Sequence, residues 1–315
     1  MGEGTTTTHR SISGLVIGKD LLLELIEATR GPLDSLDTLL LVTIVQANIA
    51  PLMANPAMEA NYAALDRPPP DELRRPISVA AVAGATGLPF ETVRRRVARL
   101  RDMGVCQIHA EGVVAPQQHL DTPGHRAVIA ENFRILRDTY NRLVSVGFFE
   151  EQTWPATTWT PDLPLPMRAS TRHSADYALR MVDLLRQRAG DVVNGLILLQ
   201  LGRENTRRLG DARERFENPD HPAFAPDMLK EPVGASHLAH CLRLDRETVR
   251  RRLAALTEAG LCERRGEGYI VPLRRMIVPE MIEVVTANDA NLRRLYRNLA
   301  RVGALEVWRA GEQAA

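Results

Sequence analysis

The fold is decided by a stretch that occurs twice: Glu91-Thr92-Val93-Arg94-Arg95-Arg96 returns as Glu247-Thr248-Val249-Arg250-Arg251-Arg252. The second copy begins 156 residues after the first (91 to 247), and identical residues keep this offset far beyond the motif. A short basic motif can recur by chance, but a register maintained over many positions indicates an internal duplication. The matching pairs are Asp20/Asp176, Pro76/Pro232, Leu88/Leu244, Leu100/Leu256, Gly104/Gly260, Cys106/Cys262, Gly112/Gly268, Pro116/Pro272, Asn132/Asn288, Tyr140/Tyr296, Leu143/Leu299 and Gly147/Gly303.

The duplication divides the chain into two units of similar length. Between the units, four prolines in Trp154–Pro166 favour an extended linker, and its tryptophans indicate packing against the rest of the protein. The N-terminus is polar and is expected to form a disordered arm. The predicted division is the arm (1–12), the first unit (13–150), the Pro- and Trp-rich linker (151–168), the second unit (169–306) and a tail (307–315).

Each unit contains two short helices joined by a tight turn and followed by two short strands. Ser78 and Asp245 are positioned to cap helices, whereas Pro89, which matches Asp245, cannot cap through its side chain. Helix, turn, helix and glycine-tipped hairpin in this order predict a winged helix-turn-helix. The predicted elements are Val79–Ala85, Phe90–Met103, Val105–His109 and Val113–Ala115 in the first unit, and Ala235–Cys241, Arg246–Ala259, Leu261–Arg264 and Tyr269–Val271 in the second.

Further helices are predicted on both sides of these segments. Asp20 is expected to cap a helix at Leu21–Thr29, and the next helix, Asp34–Ile49, is apolar nearly all round. The proline-rich segment Asn55–Pro76 is expected to be a long loop. The predicted fold is therefore mainly α with small β-hairpin wings: two winged helix-turn-helix units with flanking helices in a pseudo-twofold arrangement. Longer helices are predicted after the hairpins, at Gly124–Val146 and Pro279–Val302.

The second short helix of each pair has the pattern of a DNA recognition helix. Helical spacing directs Val249, Leu253 and Leu256 inward. Arginines on the opposite face can reach phosphates and can bind guanine O6 and N7 together, and a threonine near a helix start can bind phosphate. The outward sets are Glu91, Arg94, Arg95 and Ala98 in the first copy and Glu247, Arg250, Arg251 and Ala254 in the second. The candidate DNA-binding residues are Glu91, Thr92, Arg94, Arg95, Arg246, Glu247, Thr248, Arg250, Arg251, Arg264 and Arg265.

An ordinary solvated face is the alternative interpretation of these helices. Glu91 with Arg95, and Glu247 with Arg251, are i,i+4 pairs of the kind found on many surfaces. The duplication and the predicted wings favour DNA binding instead. Because Arg264-Arg265 is much more basic than its counterpart in Gln107–His109, the two units are expected to bind DNA unequally.

The segments Leu88–Pro116 and Leu244–Pro272 resemble the winged-helix core of bacterial regulators. With helices on both sides, each unit resembles the MarR type. It differs from that type in the long 55–76 loop and in the single helix after each wing. The resemblance implies a MarR-type dimer fused into one chain, with double-stranded operator DNA as partner and a small, often aromatic effector bound between the flanking helices and the DNA-binding lobes.

Composition limits the other classes of function. The net charge of +1 and the 4% aromatic content disfavour a sequence-neutral nucleic-acid coat and a stacking platform for single strands. Three cysteines in a chain of this length do not form a disulfide framework. With no apolar run long enough for a membrane span and no signal peptide, the expected location is the cytoplasm.

Catalytic, cofactor and metal sites are not expected. Asp121–His125 matches a nucleotide-switch motif, but no phosphate-binding loop precedes it, so it is interpreted as a turn. His237, His240 and Cys241 have metal-like spacing, but the other copy has Ala81, Gly84 and Ala85 there, and no second ligand pair is evident. Two rival functions stay open: a replication initiator with tandem winged helices, and a winged-helix module that binds protein.

Overall fold

The computed structural model describes residues 2–157, 159–209, 225–276 and 278–313, which form thirteen α-helices and two β-hairpins. Met1, Thr158, Ala314 and Ala315, to which the expected arm, linker and tail extend, lie outside the described residues. The helices of the first half are α1 (Gly2–Thr29), α2 (Ser35–Asn48), α3 (Ala50–Met53), α4 (Pro56–Asn61), α5 (Val79–Thr86), α6 (Phe90–Asp102) and α7 (Pro123–Ser145). Those of the second half are α8 (Met167–Ala189), α9 (Val192–Asn205), α10 (Ala235–Leu242), α11 (Arg246–Glu258), α12 (Pro279–Arg301) and α13 (Ala304–Gln313).

Each half contains one two-stranded antiparallel hairpin. Strands β1 (Gln107–His109) and β2 (Gly112–Val114) pair in the first, and β3 (Glu263–Arg265) and β4 (Gly268–Ile270) pair in the second. A third segment adds one bridge to each hairpin, Ile77 to Val113 and Val233 to Tyr269. The fold is therefore mainly helical with two small β-hairpins, as the sequence predicted.

The two halves have the same elements at the same relative positions. From α5 to β2, and again from α10 to β4, every helix and strand begins and ends at residues 156 apart. The same offset relates α7 to α12. We call residues 79–114 the first module and residues 235–270 the second module. The duplication predicted from sequence is thus reproduced in the backbone.

The register shifts by one residue in α2 and α9. Asp34 and Asp191, which cap these helices, are 157 residues apart rather than 156. Five positions separate Arg186 from Asp191, whereas four separate the matching Arg30 from Asp34. The gapless register expected from the sequence is therefore wrong here, and a compensating difference after α9 restores it before the second module.

Four long helices form the centre of the molecule and join the two halves. Helix α1 packs against both α7 and α12, and α8 also packs against both. Two fully buried tyrosines bond across the halves: the Tyr177 hydroxyl donates to the Gly18 carbonyl at 3.0 Å, and the Tyr296 hydroxyl donates to the Leu136 carbonyl at 3.0 Å. One hydrophobic core therefore runs through both halves.

The N-terminal segment differs from expectation. Residues 2–12, expected as a disordered arm, belong to α1, so Asp20 lies within this helix rather than at its cap. Ser11 Oγ donates to Asp289 Oδ2 at 2.6 Å, and Arg10 pairs with Glu150. Tertiary contacts of this kind stabilise a helix in a polar segment whose hydrophobic pattern does not itself predict a helix.

The tail and the long loop also contain more structure than expected. Residues 304–313 form α13, a second helix after the second wing, because Trp308 packs against Phe133 with 5.4 Å between ring centroids. The 55–76 segment contains α4 and a 3₁₀ turn at Asp71–Leu73. In the linker, Trp154 packs edge-on against Phe149 with 5.0 Å between ring centroids.

Candidate nucleic-acid interface

The two basic helices, α6 and α11, begin differently. The carboxylate of Asp245 accepts a hydrogen bond from the Thr248 amide at 2.8 Å, as the sequence predicted for α11. Pro89 occupies the equivalent position before α6 and makes no side-chain cap. Thr248 and Thr92 are half-buried in the first turn of their helices.

The inward and outward faces of α6 and α11 match the predicted pattern. Val249, Leu253 and Leu256 are buried in α11, and Val93, Val97 and Leu100 are buried in α6. The remaining predicted site residues on these helices are exposed at the surface, so neither face is hidden inside the fold. The exposed residues are Glu91, Arg94 and Arg95 in the first module, and Arg246, Glu247, Arg250 and Arg251 in the second.

The ion pairs on this face connect different arginines from those expected. Glu91 pairs with Arg94, and Glu247 pairs with Arg250, each at 2.6 Å and with i,i+3 spacing. The expected i,i+4 pairs are not formed. Within the described residues, Arg95 and Arg251 therefore have no hydrogen bond or ion pair. These two guanidinium groups are available to an external anion without breaking an internal contact.

The third arginine of each motif points toward the protein. Arg96 Nη1 lies 2.6 Å from Asp37 Oδ1 and 2.9 Å from Asp34 Oδ2 at the start of α2. In the second copy, Arg252 pairs with Asp191 at the start of α9. Acidic groups at a helix N-terminus are stabilised by the helix dipole. By pairing with these acidic groups, Arg96 connects α6 to the start of α2, and Arg252 connects α11 to the start of α9.

The hairpins carry the remaining predicted site residues. Arg264 is exposed, whereas Arg265 is half-buried and donates to the Asp227 carbonyl at 2.9 Å. Their counterparts in the first hairpin, Ile108 and His109, are exposed and uncharged or weakly basic. The second hairpin is therefore the more basic of the two, as expected.

Sequence analysis missed the residues that hold each hairpin in place. The Asn48 amide nitrogen donates to the carbonyls of Arg75 and Val113 at 2.7 and 3.0 Å, and its oxygen accepts from the Ala115 amide at 2.9 Å. Asn205 makes the same contacts with Glu231, Tyr269 and Val271. The repeat would have identified this pair had the comparison allowed a shift of one residue.

Two apolar cavities lie among the long helices and the flanking helices, and each is lined by one residue of its module, Val105 or Leu261. Cavity A has a volume of about 400 Å³ and is lined by residues of α1, α2, α7 and α8. Cavity B has a volume of about 450 Å³ and is lined by residues of α8, α9, α12 and α1. Lining residues correspond at the 156-residue offset, for example Leu25/Met181, Val105/Leu261 and Val128/Val284.

The residues with metal-like spacing are only partly brought together. His237 Nε2 lies 3.4 Å from Cys241 Sγ and 3.0 Å from Glu204 Oε2 on α9, whereas His240 is exposed and lies outside this group. Each of the three clustered residues offers a ligand atom for a divalent cation. However, Arg207 Nη1 lies 3.4 Å from Glu204 Oε2 and already compensates that carboxylate.

The other two cysteines are buried in equivalent positions. Cys106 and Cys262 each direct Sγ toward a backbone carbonyl of the preceding basic helix, at 3.8 Å from Val97 O and from Leu253 O. Burial raises the pKa of the Cys106 thiol to about 11 and also raises the pKa of Cys262. Both positions are those of packed core thiols rather than reactive ones.

Comparisons with protein-family models, with curated proteins and with solved structures found no match to this chain. Within the described part of the chain, no helix combines the length and the apolarity that crossing a membrane requires.

Proposed function

We propose that this protein is a sequence-specific regulator of transcription that binds double-stranded DNA through α6 and α11. The observation that carries the proposal is the equivalence of Arg95 and Arg251. Both occupy the same position on an exposed basic helix, and both lack a carboxylate partner among the described residues. Guanidinium groups presented in this way suit contacts with phosphates and guanine edges.

The proposal includes a winged helix-turn-helix identity for both modules and a pseudo-twofold relation between them. Reciprocal contacts support it. Arg30, near the end of α1, donates to the Cys241 carbonyl of the second module. Arg186, its counterpart on α8, lies against Gly87 of the first module, where a Cβ would come within 2.2 Å of Arg186 Cδ. Each module thus rests on the long helix of the other half.

In this arrangement the two basic helices enter successive major grooves, about 34 Å apart. Because one chain carries both modules, binding of the first raises the effective concentration of the second. Cavities A and B are lined by helices of both halves, so a bound effector contacts groups that would move when the modules change their spacing. A ligand that prefers another spacing would reduce the DNA-competent population. This is the behaviour implied by the resemblance to a fused MarR-type dimer.

The test begins with selection of bound sites from genomic fragments, followed by affinity measurements at several salt concentrations. Arg95→Ala and Arg251→Ala should each weaken binding to a selected site by about tenfold and lower the salt slope by about one. Arg137→Ala is the matched control, because Arg137 is an exposed arginine on α7 that pairs with Asp138 at 2.9 Å. Unchanged affinity and salt slope in both module variants would overturn the proposal.

The selection also separates the rival functions. Recovery of iterated origin repeats instead of promoter sites would indicate a replication initiator. The absence of any salt-dependent DNA shift would indicate a module that binds protein.

A further inference from the structure

The two equivalent cavities are both lined by basic residues, but the identity of these residues and the presence of an acidic one differ. Cavity A is lined by three arginines that are almost completely buried: Arg74, Arg168 and Arg172, which are 7%, 5% and 6% exposed. No aspartate or glutamate is found among the described residues that line it. In cavity B the positions of Arg74 and Arg172 are taken by Lys230 and Val16. The wall of cavity B also contains Lys19, Arg188 and Arg275, together with the acidic Glu280.

Two of these guanidinium groups have unused donors. Each of the three guanidinium nitrogens of Arg168 donates one hydrogen bond, to the carbonyls of Leu65 and Leu120 and to Asp121. By contrast, Nη1 of Arg172 and Nη1 of Arg74 are buried without a hydrogen-bond partner among the described residues. The other nitrogens of Arg74 contact Asp71 Oδ1 at 3.2 Å and the Pro69 carbonyl at 3.1 Å. A buried charged donor that lacks a partner is costly, and an anion that accepts from it removes this cost.

Burial and nearby positive charges both lower the pKa of Arg172. Burial, the largest cause, and the positive charges of Arg168 and Arg74 together lower the pKa of Arg172 to about 10, while Glu59 opposes them. Glu59 is itself engaged by His173 and Arg301, each at 3.0 Å. The wall of cavity A is therefore short of negative charge.

Most of the remaining wall surface is apolar, with a few polar side chains such as Gln46, His125 and Asn132. Leu25, Leu39, Val42, Val45, Val128 and Ile129 surround the cavity, and its volume is in the lower part of the range for small-molecule sites. We propose that cavity A, and not cavity B, binds one organic monocarboxylate with an apolar body, whose carboxylate is held by Arg172 and Arg74. The role of this ligand as effector rests on the proposed function. The binding of the ligand to cavity A does not depend on that function.

The experiment titrates the full chain, without DNA, with three ligands that differ only in the head group: octanoate, octanamide and octylammonium. Isothermal titration calorimetry should show one octanoate per chain, bound at least about tenfold more tightly than octanamide, with no octylammonium binding. Equal affinity of the wild-type protein for octanoate and octanamide would by itself overturn the proposal.

The duplication supplies a matched variant. Arg172→Val introduces the residue that cavity B has at the equivalent position and should abolish the preference for octanoate. Arg74→Lys, which introduces the residue of cavity B and keeps the charge, should retain part of it. Arg188→Met removes a positive charge from cavity B and should leave octanoate binding unchanged. Loss of binding in Arg188→Met with retention in Arg172→Val would place the ligand in cavity B and refute the proposal.

A separate measurement tests the link to DNA. Saturating octanoate should weaken binding to a selected DNA site in the wild type and have no effect in Arg172→Val. Octanoate binding without any change in DNA affinity would confirm the ligand class and refute the gating. Absence of DNA binding altogether would refute the proposed function alone.

Discussion

Asn48 and Asn205 make the same three hydrogen bonds in the two halves, although they are 157 residues apart and their partners are 156 apart. Each side chain connects the end of a flanking helix to the hairpin of its module. Helix α9 is therefore shifted by one residue along the sequence relative to α2, but its last residue still makes the same hydrogen bonds to the hairpin. Because both halves have this asparagine despite the shift, we expect its hydrogen bonds to hold the hairpin in position.

Replacement of Asn48 should destabilise the protein measurably. Asn48→Ala leaves the Arg75 carbonyl and the Ala115 amide without this partner and removes one of the two hydrogen bonds that the Val113 carbonyl accepts, the other coming from the Ile77 amide. The free energy of unfolding should therefore fall by about 2–4 kcal/mol. Urea unfolding followed by circular dichroism measures this loss. Asn61→Ala, at an exposed position at the end of α4, is the control. A loss for Asn48→Ala no larger than for Asn61→Ala would show that the three bonds contribute little.

The inward arginines should differ in importance between the halves. Arg96 faces two carboxylates, Asp34 and Asp37, and the Asp37 side chain is 0% exposed. Arg252 faces one carboxylate, Asp191, beside the neutral Asn194. Arg96→Ala should therefore cost about 2–4 kcal/mol, and clearly more than Arg252→Ala, because two close and partly buried acidic groups must then share the exposed Arg99. Arg99 Nη1 lies 3.1 Å from Asp37 Oδ2 and 3.6 Å from Asp34 Oδ2. Equal losses in thermal or urea unfolding would contradict this explanation.

Exchanging the first residues of α6 and α11 tests whether the starts of these helices contact DNA. Phe90 is 52% exposed at the start of α6, and the exposed Arg246 occupies the equivalent position in α11. If both helices bind DNA, Phe90→Arg should tighten binding and increase the salt slope by about one, whereas Arg246→Phe should do the reverse. Fluorescence anisotropy with a labelled duplex at several salt concentrations measures both. A swap that changes neither quantity would exclude these helix starts from the interface.

Stability should decrease when the pH falls from about 6.5 to about 4. The pKa of His125 is lowered from its ordinary value of 6.5 to about 4, mainly by burial; Arg168, His119 and Arg74 act in the same direction and Asp121 opposes them. Because the folded-state pKa lies below the unfolded value, the unfolded chain binds more protons within this window. The contribution of His125 should reach at most about 3 kcal/mol.

His125→Met isolates this effect, because Met281 occupies the equivalent position in cavity B. The difference in unfolding free energy between wild type and variant should be constant above pH 6.5 and should change, in favour of the variant, as the pH falls toward 4. Parallel pH profiles over this whole range would rule out His125 as the titrating group.

The locally determined features could be predicted from the sequence. Both helix pairs, the hairpins and the caps at Ser78 and Asp245 depend on residues within a few positions of one another. The apolar stripe of α11 and its exposed arginines follow from helical spacing alone. Each of these signals is complete within a short segment, so no knowledge of distant contacts was needed.

The tertiary structure decided what depends on distant partners. Arg95 and Arg96 are adjacent in an identical basic run, but only Arg96 meets Asp34 and Asp37 across 62 and 59 residues. The N-terminal helix forms because residues from other parts of the chain pack against a segment with little helical signal of its own. The arginines of cavity A come from both halves and are brought together by packing of the long helices. Sequence spacing specifies which face of a helix a residue occupies, but the partner of that face is set by packing between segments far apart in the chain.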